Sequence, residues 1–575
     1  MPPSAGRVGN SASSVAKQLR KSLSSYLDVR HDKTRIDIVS PSLCEDAIRR
    51  LRPSLPSARP LDIIDINPGV CLWSSRIHLA LKPRCHILVE PDKDAYKDYV
   101  DPLLQQPGSR YRHVPVLSDL FGASRTYLLP DQTPVTSADH GKGKTNDSLL
   151  VLANLTGGKA FKSRSDGPPS ASIIPQYIGG ILNQENSIHH YGLVRMLAWL
   201  PDDEKAPYLP RTITERKKYS VRLDLVTRLS EIAGASSDDV PSSRAPRQHD
   251  LTLQSLQLVA QRAKASGVWH PDSRRPPAPT PVWYEIPLVS DALDQLRKLP
   301  HQLPWQKEFL TVYDTWRRPL RKDNKDASEA SRRAGRPRSD EPESLRVLRA
   351  KFLTVRKAKV VAQQWADRQF ELDRSRIDAH RARQSPAVLA ATEEDIQQKE
   401  ATLCTEMTKG RKDLALVAKR YVDDRRGFEQ QPPLLQWDRR TAEPLLVKDK
   451  EFYPSQNLAL LDFQPVPDVL EKLNDFDKRT CFDYLCNILF RNRAQPVHAH
   501  LEAVAQGGLD EFVERVPDLR NPLKGGHPNL HDLRIRTLPT HLLVQLALAL
   551  ETWPFRLQTH EMIMYNRRGI AQRAA

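Results

Sequence analysis

The chain contains 575 residues, 39% of them hydrophobic and 27% charged, a composition typical of globular proteins and unlike that of membrane or collagen-like ones. Lys and Arg number 87 and Asp and Glu 70, so the net charge of +17 favours a polyanionic partner, either nucleic acid or an anionic membrane. The longest apolar run, 542–550, is interrupted by Gln545 and is far shorter than the about 20 residues that span a bilayer, so no membrane span is predicted. The six cysteines form no CxxC pair, so the sequence predicts no metal site, no disulfide framework and a reducing compartment.

The first residues are basic and rich in serine, with no acidic residue before Asp28. Val15, Leu19, Leu23 and Leu27 recur at every fourth position, and the basic side chains fall mostly between them. On a helix this spacing gives an apolar stripe beside a basic face, the pattern of a mitochondrial presequence. We therefore predict a mitochondrial targeting segment over 1–30 and localisation in the mitochondrial matrix, the alternative being a disordered basic tail.

Between residues 31 and 235 the chain alternates between strand-like and helix-like segments. The predicted strands cover 61–66, 85–90, 111–117, 148–154 and 193–200. Several of them are almost continuously apolar, as expected for strands covered on both faces of a parallel sheet. Stretches compatible with helices, such as 73–81 and 92–104, lie between them. This alternation predicts an α/β core with an open, doubly wound sheet.

A large insertion with a different composition is predicted over 236–427. Its segment 274–279 is rich in proline and typical of a stiff linker. Residues 317–359 carry 15 Lys or Arg against 6 Asp or Glu, either a surface for a polyanion or a solvated face without a partner. The stretch 346–426 is largely free of Gly and Pro and predicts one or two long, solvent-exposed helices.

The last part of the chain returns to the core pattern and then becomes helical. Strand-like segments at 445–447 and 458–463 predict that residues 428–468 complete the α/β core. Apolar residues at helical spacing from 469 onward predict a small all-helical C-terminal domain with a basic tail, covering 469–575.

Polar residues follow the predicted strands at the points where the strands end. Asp65 and Gly69 follow the first strand, where a glycine lets the backbone approach a bound nucleoside. Glu90 ends the second strand, 21 residues after Gly69, the position from which an acid hydrogen-bonds ribose hydroxyls. Asp119 and Asn154 follow two later strands. Asp119 could accept a hydrogen bond from an adenine amino group, and the Asn154 amide oxygen could accept one from a substrate amine. An ordinary turn or helix cap is the alternative for each position.

Taken in order, these motifs resemble the ribosomal RNA adenine dimethyltransferase family, whose members bind S-adenosylmethionine. The residues that the chain keeps are Asp65, Pro68, Gly69, Glu90, Asp119 and Asn154. Asn67 and Cys71 replace two glycines of the cofactor loop, and Thr156 replaces a proline. Gly157 replaces the aromatic residue that would stack on the target adenine, and such stacking contributes about 1–3 kcal/mol per base.

The departures are similar to those of one branch of that family, the fungal mitochondrial transcription initiation factors. The similar segments include Asn-Pro-Gly-Val at 67–70, Ala-Asn-Leu-Thr-Gly at 153–157, the strand region 191–201, Leu-Ala-Leu-Leu at 458–461 and Trp-Pro-Phe at 553–555. The resemblance covers about 31–235 and 428–560 and leaves the insertion without a counterpart. It implies a methyltransferase-like sheet that confers promoter recognition and melting on the single-subunit mitochondrial RNA polymerase.

The resemblance also implies a set of binding residues. The pocket for S-adenosylmethionine would be lined by Ile38, Asp65, Gly69, Glu90, Asp119 and Asn154. We expect this pocket and the catalytic role of Asn154 to be vestigial. Arg567, Arg568 and Arg573 are predicted to contact promoter DNA, a loosely ordered basic tail being the alternative. The alternative function is an active adenine N6-dimethyltransferase of the mitochondrial small ribosomal RNA, and a third is a scaffold bound to the mitochondrial ribosome.

Overall fold

The computed structural model describes residues 11–24, 35–55, 60–116, 129–135, 143–157, 169–183, 188–236, 247–279, 293–294, 296–297, 304–323, 341–383, 385–410, 412–468 and 470–571. Among these residues, no helix has both the length and the apolar character that crossing a membrane requires.

A mixed sheet, mostly parallel, is the centre of the described structure. Its strands are β2 (Asp62–Ile66), β3 (Cys85–Val89), β4 (Tyr111–Val114), β5 (Thr145–Asn154), β6 (Leu193–Pro201), β7 (Thr227–Gly234), β8 (Leu445–Leu446) and β10 (Leu458–Pro465). They lie in the order β4-β3-β2-β5-β6-β10-β7-β8, and only β10 runs antiparallel to its neighbours. Two short strands, β1 (Asp37–Ile38) and β9 (Phe452–Tyr453), pair with each other outside this sheet. The predicted α/β sheet and its five early strands are confirmed.

The order of the strands determines where a site can form. Strands β2, β3 and β4 follow one another in one direction across the sheet, and β5 and β6 extend it in the other. The order therefore reverses between β2 and β5, and crevices outside the carboxyl ends of strands at such a point are the usual ligand sites of open α/β sheets. Residues 67–71 after β2 and 155–157 after β5 border this crevice.

Six helices lie in the part of the chain up to β7 that the structure describes: α1 (Ala12–Ser24), α2 (Pro41–Leu51), α3 (Leu72–Leu81), α4 (Lys97–Leu104), α5 (Pro169–Asn183) and α6 (Lys218–Val226). The helix predicted over 92–104 begins only at Lys97, because residues 92–96 form turns in which Ala95 N donates to Asp92 O at 2.9 Å. Helix α1 lies within the predicted targeting segment, and its stripe residues Val15 and Leu19 are buried against the core.

The described insertion is helical: α7 (His249–Ala265), α8 (Pro304–Asp323), α9 (Glu343–Arg381), α10 (Pro386–Lys409) and α11 (Lys412–Glu429). The prediction of one or two helices over 346–426 is therefore wrong, since three helices cover it. Pro386 begins the second of them and Gly410 ends it, which fits the tendency of these residues to break helices. The predicted linker is anchored at Arg274, whose guanidinium binds Glu451 at 2.8 Å and also Asp46.

A short helix, α12 (Gln436–Arg439), precedes β8, and the described residues from 470 onward are helical, as their pattern predicts: α13 (Phe476–Leu489), α14 (Val497–Ala505), α15 (Leu509–Glu514), α16 (Thr540–Glu551) and α17 (Thr559–Ala571). One face of the sheet, with Ile64 and Val151, shares a continuous core with these helices, including Leu542. The opposite face, with Ile63 and Leu150, packs on α1 to α4.

Candidate functional site: the carboxyl ends of strands β2, β3 and β5

The turn after β2 folds in an unusual backbone conformation. Asn67, Gly69 and Cys71 have φ of 55°, 56° and 52°, in the left-handed region that glycine and asparagine adopt at least cost. The Asn67 backbone N–H donates to Val89 O at 3.0 Å, and its side-chain amide donates to Asn154 O at 3.1 Å. This turn therefore ties the end of β2 to the ends of both neighbouring strands.

Glu90, at the end of β3, is fully engaged by the chain itself. Arg35 Nη1 and Nη2 donate to its two carboxylate oxygens at 2.8 and 2.6 Å, and both side chains are completely buried. The backbone N–H groups of Gly69 and Asp92 donate to the same carboxylate at 3.1 and 3.0 Å. Burial would raise the pKa of Glu90, but the Arg35 charge and these hydrogen bonds outweigh it and lower the pKa.

Asp37 fills the space that Gly69 leaves open. A Cβ atom on Gly69 would lie 1.9 Å from Asp37 Oδ1 and 3.1 Å from Arg35 Nη2. The other oxygen of Asp37 accepts from the Tyr96 hydroxyl at 2.9 Å, and the Arg35 guanidinium lies 4.4 Å from the centre of the Tyr96 ring. The freedom that Gly69 provides is therefore used for a close approach by residues 35–37.

Asn154 and Thr156 hold the same segment from the end of β5. Asn154 Nδ2 donates to Ile36 O at 2.9 Å, and Ile36 N donates to Thr156 Oγ1 at 3.0 Å. The Thr156 hydroxyl donates to Asn154 Oδ1 at 2.6 Å, and Thr156 N donates to the same oxygen at 3.2 Å. The amide oxygen that would accept from a substrate amine already has two donors.

The structure brings Gly69, Glu90 and Asn154 together around residues 35–37, here named the N-terminal plug. Ile38 is buried in β1 opposite Phe452, and the buried Asp65 lies 3.4 Å from His86 Nε2. Asp119, Arg573 and the side chains of Arg567 and Arg568 lie outside the described residues. Sequence reasoning missed Arg35 and Asp37, because both precede the first predicted strand and belong to no motif.

The arrangement does not fit S-adenosylmethionine. A ribose would need free acceptor positions on the Glu90 carboxylate. Both of its oxygens already accept hydrogen bonds from Arg35 and from two backbone N–H groups. A nucleoside would also need the close approach over Gly69 that Asp37 occupies. What the site does chemically is fasten the N-terminal plug across the crevice.

A second candidate surface lies where α6 meets α13 and α17. We call it the basic–aromatic surface and define it as Lys217, Lys218, Tyr219, Arg491 and Tyr565. Lys217 and Arg491 are exposed, and the two tyrosines are partly buried. The Lys218 ammonium lies 5.4 Å from the Tyr219 ring, and the Arg491 guanidinium lies 5.6 Å from the Tyr565 ring.

A chain of amides connects the two sides of this surface. Lys218 Nζ donates to Asn487 Oδ1 at 2.8 Å, and Asn487 Nδ2 donates to Asn566 Oδ1 at 2.7 Å. Tyr484 packs edge-on against Tyr565 with 5.3 Å between the ring centres. Cations interleaved with aromatic rings are the combination that binds single-stranded nucleic acid, through phosphate contacts and base stacking.

Comparison with known proteins finds two proteins that are similar to this chain in sequence. Mitochondrial transcription factor 1 of Saccharomyces cerevisiae is 28% identical to this chain over 185 residues, which are 31% of this chain and 49% of that protein. This chain is similar to mitochondrial transcription factors. The protein of the same name from Saccharomyces paradoxus is 27% identical over the same shares of the two chains. The chain thus spans about half the length of the curated relatives it matches, and no family model matches it.

Proposed function

We propose that this protein is a mitochondrial transcription initiation factor that acts with the single-subunit mitochondrial RNA polymerase on promoter DNA. In this proposal the sheet is a methyltransferase-like scaffold without a cofactor, and the protein is located in the mitochondrial matrix. The similarity to two proteins named mitochondrial transcription factor 1 supports the role in transcription and the mitochondrial location. The observation that carries the proposal over the enzymatic alternative is the buried pair of Arg35 and Glu90.

The argument against a methyltransferase rests on what an enzyme of this kind would need. It would need a carboxylate available to the ribose, and Glu90 is bound to Arg35 instead. It would need the Asn154 amide and an aromatic neighbour facing the extruded base. Asn154 instead binds Ile36, and position 157 is a glycine.

The basic–aromatic surface supports contact with the opened promoter strands. The exposed Lys217 and Arg491 would neutralise phosphates, and Tyr219 and Tyr565 offer ring faces to unstacked bases. The predicted contacts of Arg567, Arg568 and Arg573 with promoter DNA would add to those of this surface. If deletion of residues 567–575 leaves the choice of start site unchanged, the proposal for this tail is wrong.

A reconstituted run-off transcription assay with the cognate polymerase tests the proposal. Duplex and pre-melted promoters are compared, each with and without this protein, and we expect stimulation on the duplex and little on the pre-melted template. The Arg491→Gln/Tyr565→Ala variant should lose most of the stimulation. Phe555→Ala is the matched control, because Phe555 is an exposed aromatic residue outside the basic–aromatic surface.

The same preparation is titrated with S-adenosylmethionine in a calorimeter and assayed for methyl transfer to the small ribosomal RNA. We expect neither binding at millimolar cofactor nor transfer. Methyl transfer that is lost in Asn154→Ala, together with no stimulation of transcription on either template, would establish the methyltransferase alternative.

A further inference from the structure

Helix α9 is the longest helix of the insertion, and its C-terminal half is fixed to the helical C-terminal region. It has 39 residues and is therefore about 58 Å long. Arg376, which is 1% exposed, binds Glu393 at 2.8 Å and Glu400 at 2.9 Å, and its Nη1 lies 3.0 Å from His527 Nε2. Asp373 binds Arg426 of α11 at 2.6 Å. Such buried, mutually satisfied charges hold this half of the helix in place.

The N-terminal half of α9 has a small core of its own. It packs against α8, with 5.9 Å between the rings of Phe309 and Phe352 and 6.0 Å between those of Trp305 and Phe352. Leu345 and Leu348 belong to the same cluster, which is separate from the two cores of the sheet. Helix α8 thus occupies one side of this half, α11 packs against Ala358 and Ala362 on another, and the remaining side faces solvent.

The solvent-facing side is basic. Residues 344–366 contain six Arg or Lys and no Asp or Glu, and of the six, Arg349 is neutralised by Glu341. Positions three and four apart share a face of a helix, and the exposed residues at that spacing are Arg346, Ala350, Leu353, Lys357, Val360 and Gln364. Two of these six residues, Arg346 and Lys357, are basic and none is acidic, and we call the set the α9 basic face. It spans about 27 Å, comparable with eight base pairs at 3.4 Å each.

Like charges also meet on the opposite side of α9, where the helix packs against α11. Burial and the neighbouring charge of Arg420 on α11 both lower the pKa of Lys359, with Asp413 as an opposing carboxylate. Lys412 and Lys419 of α11 are also exposed.

We propose that the α9 basic face binds duplex DNA through its phosphates. The proposal rests on the function proposed above and assigns the duplex beside the opened region to this helix. Single strands are bound by stacking, and the α9 basic face carries no aromatic residue, whereas the basic–aromatic surface does. A membrane-bound helix buries a broad apolar face, and here the apolar side is already packed on α8 while Leu353 and Val360 are the only large aliphatic residues of the basic face.

Binding of a fluorescent 20-base-pair duplex over a range of salt concentrations tests this assignment. The variant is Arg346→Gln/Lys357→Gln, and the matched control is Arg381→Gln/Lys399→Gln, which removes two exposed charges from other parts of the insertion. Each lost phosphate contact should reduce the log–log salt slope by about 0.9, so we expect a decrease of about 2 in the variant and none in the control. At 0.1 M salt the variant should bind at least about tenfold more weakly.

An unchanged slope in Arg346→Gln/Lys357→Gln would overturn the assignment. The assignment would also be overturned if this variant lost binding to vesicles containing anionic lipid but kept its binding to duplex DNA, since the partner would then be a membrane. The run-off assay distinguishes the two proposals. If the wild type stimulates transcription but the Arg346→Gln/Lys357→Gln variant binds duplex DNA as well as the control variant does, only the α9 assignment is contradicted. Absence of wild-type stimulation contradicts the proposed function, whatever the slope.

Discussion

The variant Arg35→Met removes one partner of the buried ion pair while keeping much of the side-chain volume. Glu90 would retain the N–H donors of Gly69 and Asp92 but lose two charge-assisted hydrogen bonds of 2.6 and 2.8 Å. Removing one partner of a buried pair typically costs 3–5 kcal/mol because a charge remains buried without compensation. Since two backbone donors remain, we expect the free energy of unfolding at pH 7 to fall by about 3 kcal/mol.

The pH dependence identifies the cause of this loss. In the wild type the ionised Glu90, whose folded pKa is lowered, contributes stability above the pKa of unfolded glutamate, about 4.3, and this contribution is lost as the pH falls through the folded pKa. In Arg35→Met burial acts without the opposing charge, so the folded pKa rises and protonation relieves the penalty. The difference between wild type and variant should therefore shrink between pH 7 and pH 4.5.

Urea unfolding followed by tryptophan fluorescence at several pH values measures this difference. Trp73 and Trp199 report on the core beside the site, with 5.8 Å between their rings. Arg35→Met/Glu90→Gln is the matched control, because it also removes the charge of Glu90, and we expect it to be more stable than Arg35→Met at pH 7. A loss below about 1 kcal/mol, or a loss that does not change with pH, would refute the reasoning.

Three further predictions concern other contacts. Thr156→Val removes the hydroxyl that holds Ile36 and should lower the free energy of unfolding by about 1–3 kcal/mol, whereas Thr156→Ser should restore most of it. Leu19→Asp places a charge in a buried position and should detach α1, which limited proteolysis would detect as early cleavage near the N-terminus; the exposed Ser13→Asp should not do so. His527 has a folded pKa lowered to about 3 by burial and two neighbouring arginines, so its share of the loss of stability between pH 7 and pH 5 is about 2 kcal/mol, and the fall measured in urea titrations should be smaller by about this amount in His527→Gln.

The sheet could be predicted because its signal is local. Strands β2 and β3 are short apolar runs bounded by turn residues, and buried strands of a parallel sheet require that pattern. The rim residues Gly69, Glu90 and Asn154 follow from the same pattern, since parallel strands bring their carboxyl ends to one edge. What each rim residue contacts is not local. Arg35 lies 55 positions before Glu90, and no spacing rule connects them.

In the insertion, too, local structure could be predicted from the sequence and long-range contacts could not. Its helices were predictable from the scarcity of glycine and proline, but the breaks at Pro386 and Gly410 required giving single residues more weight than the surrounding pattern. The anchoring of Arg274 by Glu451 joins positions 177 residues apart, so a stretch with the composition of a linker is attached to the core. Sequence periodicity reports which face of an element is apolar and does not report which charged groups meet across the fold.

The positions at which this chain departs from the methyltransferase motifs have contacts of their own. Thr156 stands where the methyltransferase motif that the sequence resembles has proline, and its backbone N–H donates to Asn154, a bond that proline cannot make. Its hydroxyl accepts from Ile36 of the N-terminal plug, and Asn67, in place of a glycine, reaches the backbone of Asn154 with its amide. Simple decay of an unused pocket would remove contacts. Here Asn67 and Thr156 add contacts that hold residues 35–37 and the strand ends together, as the proposed scaffold role would require.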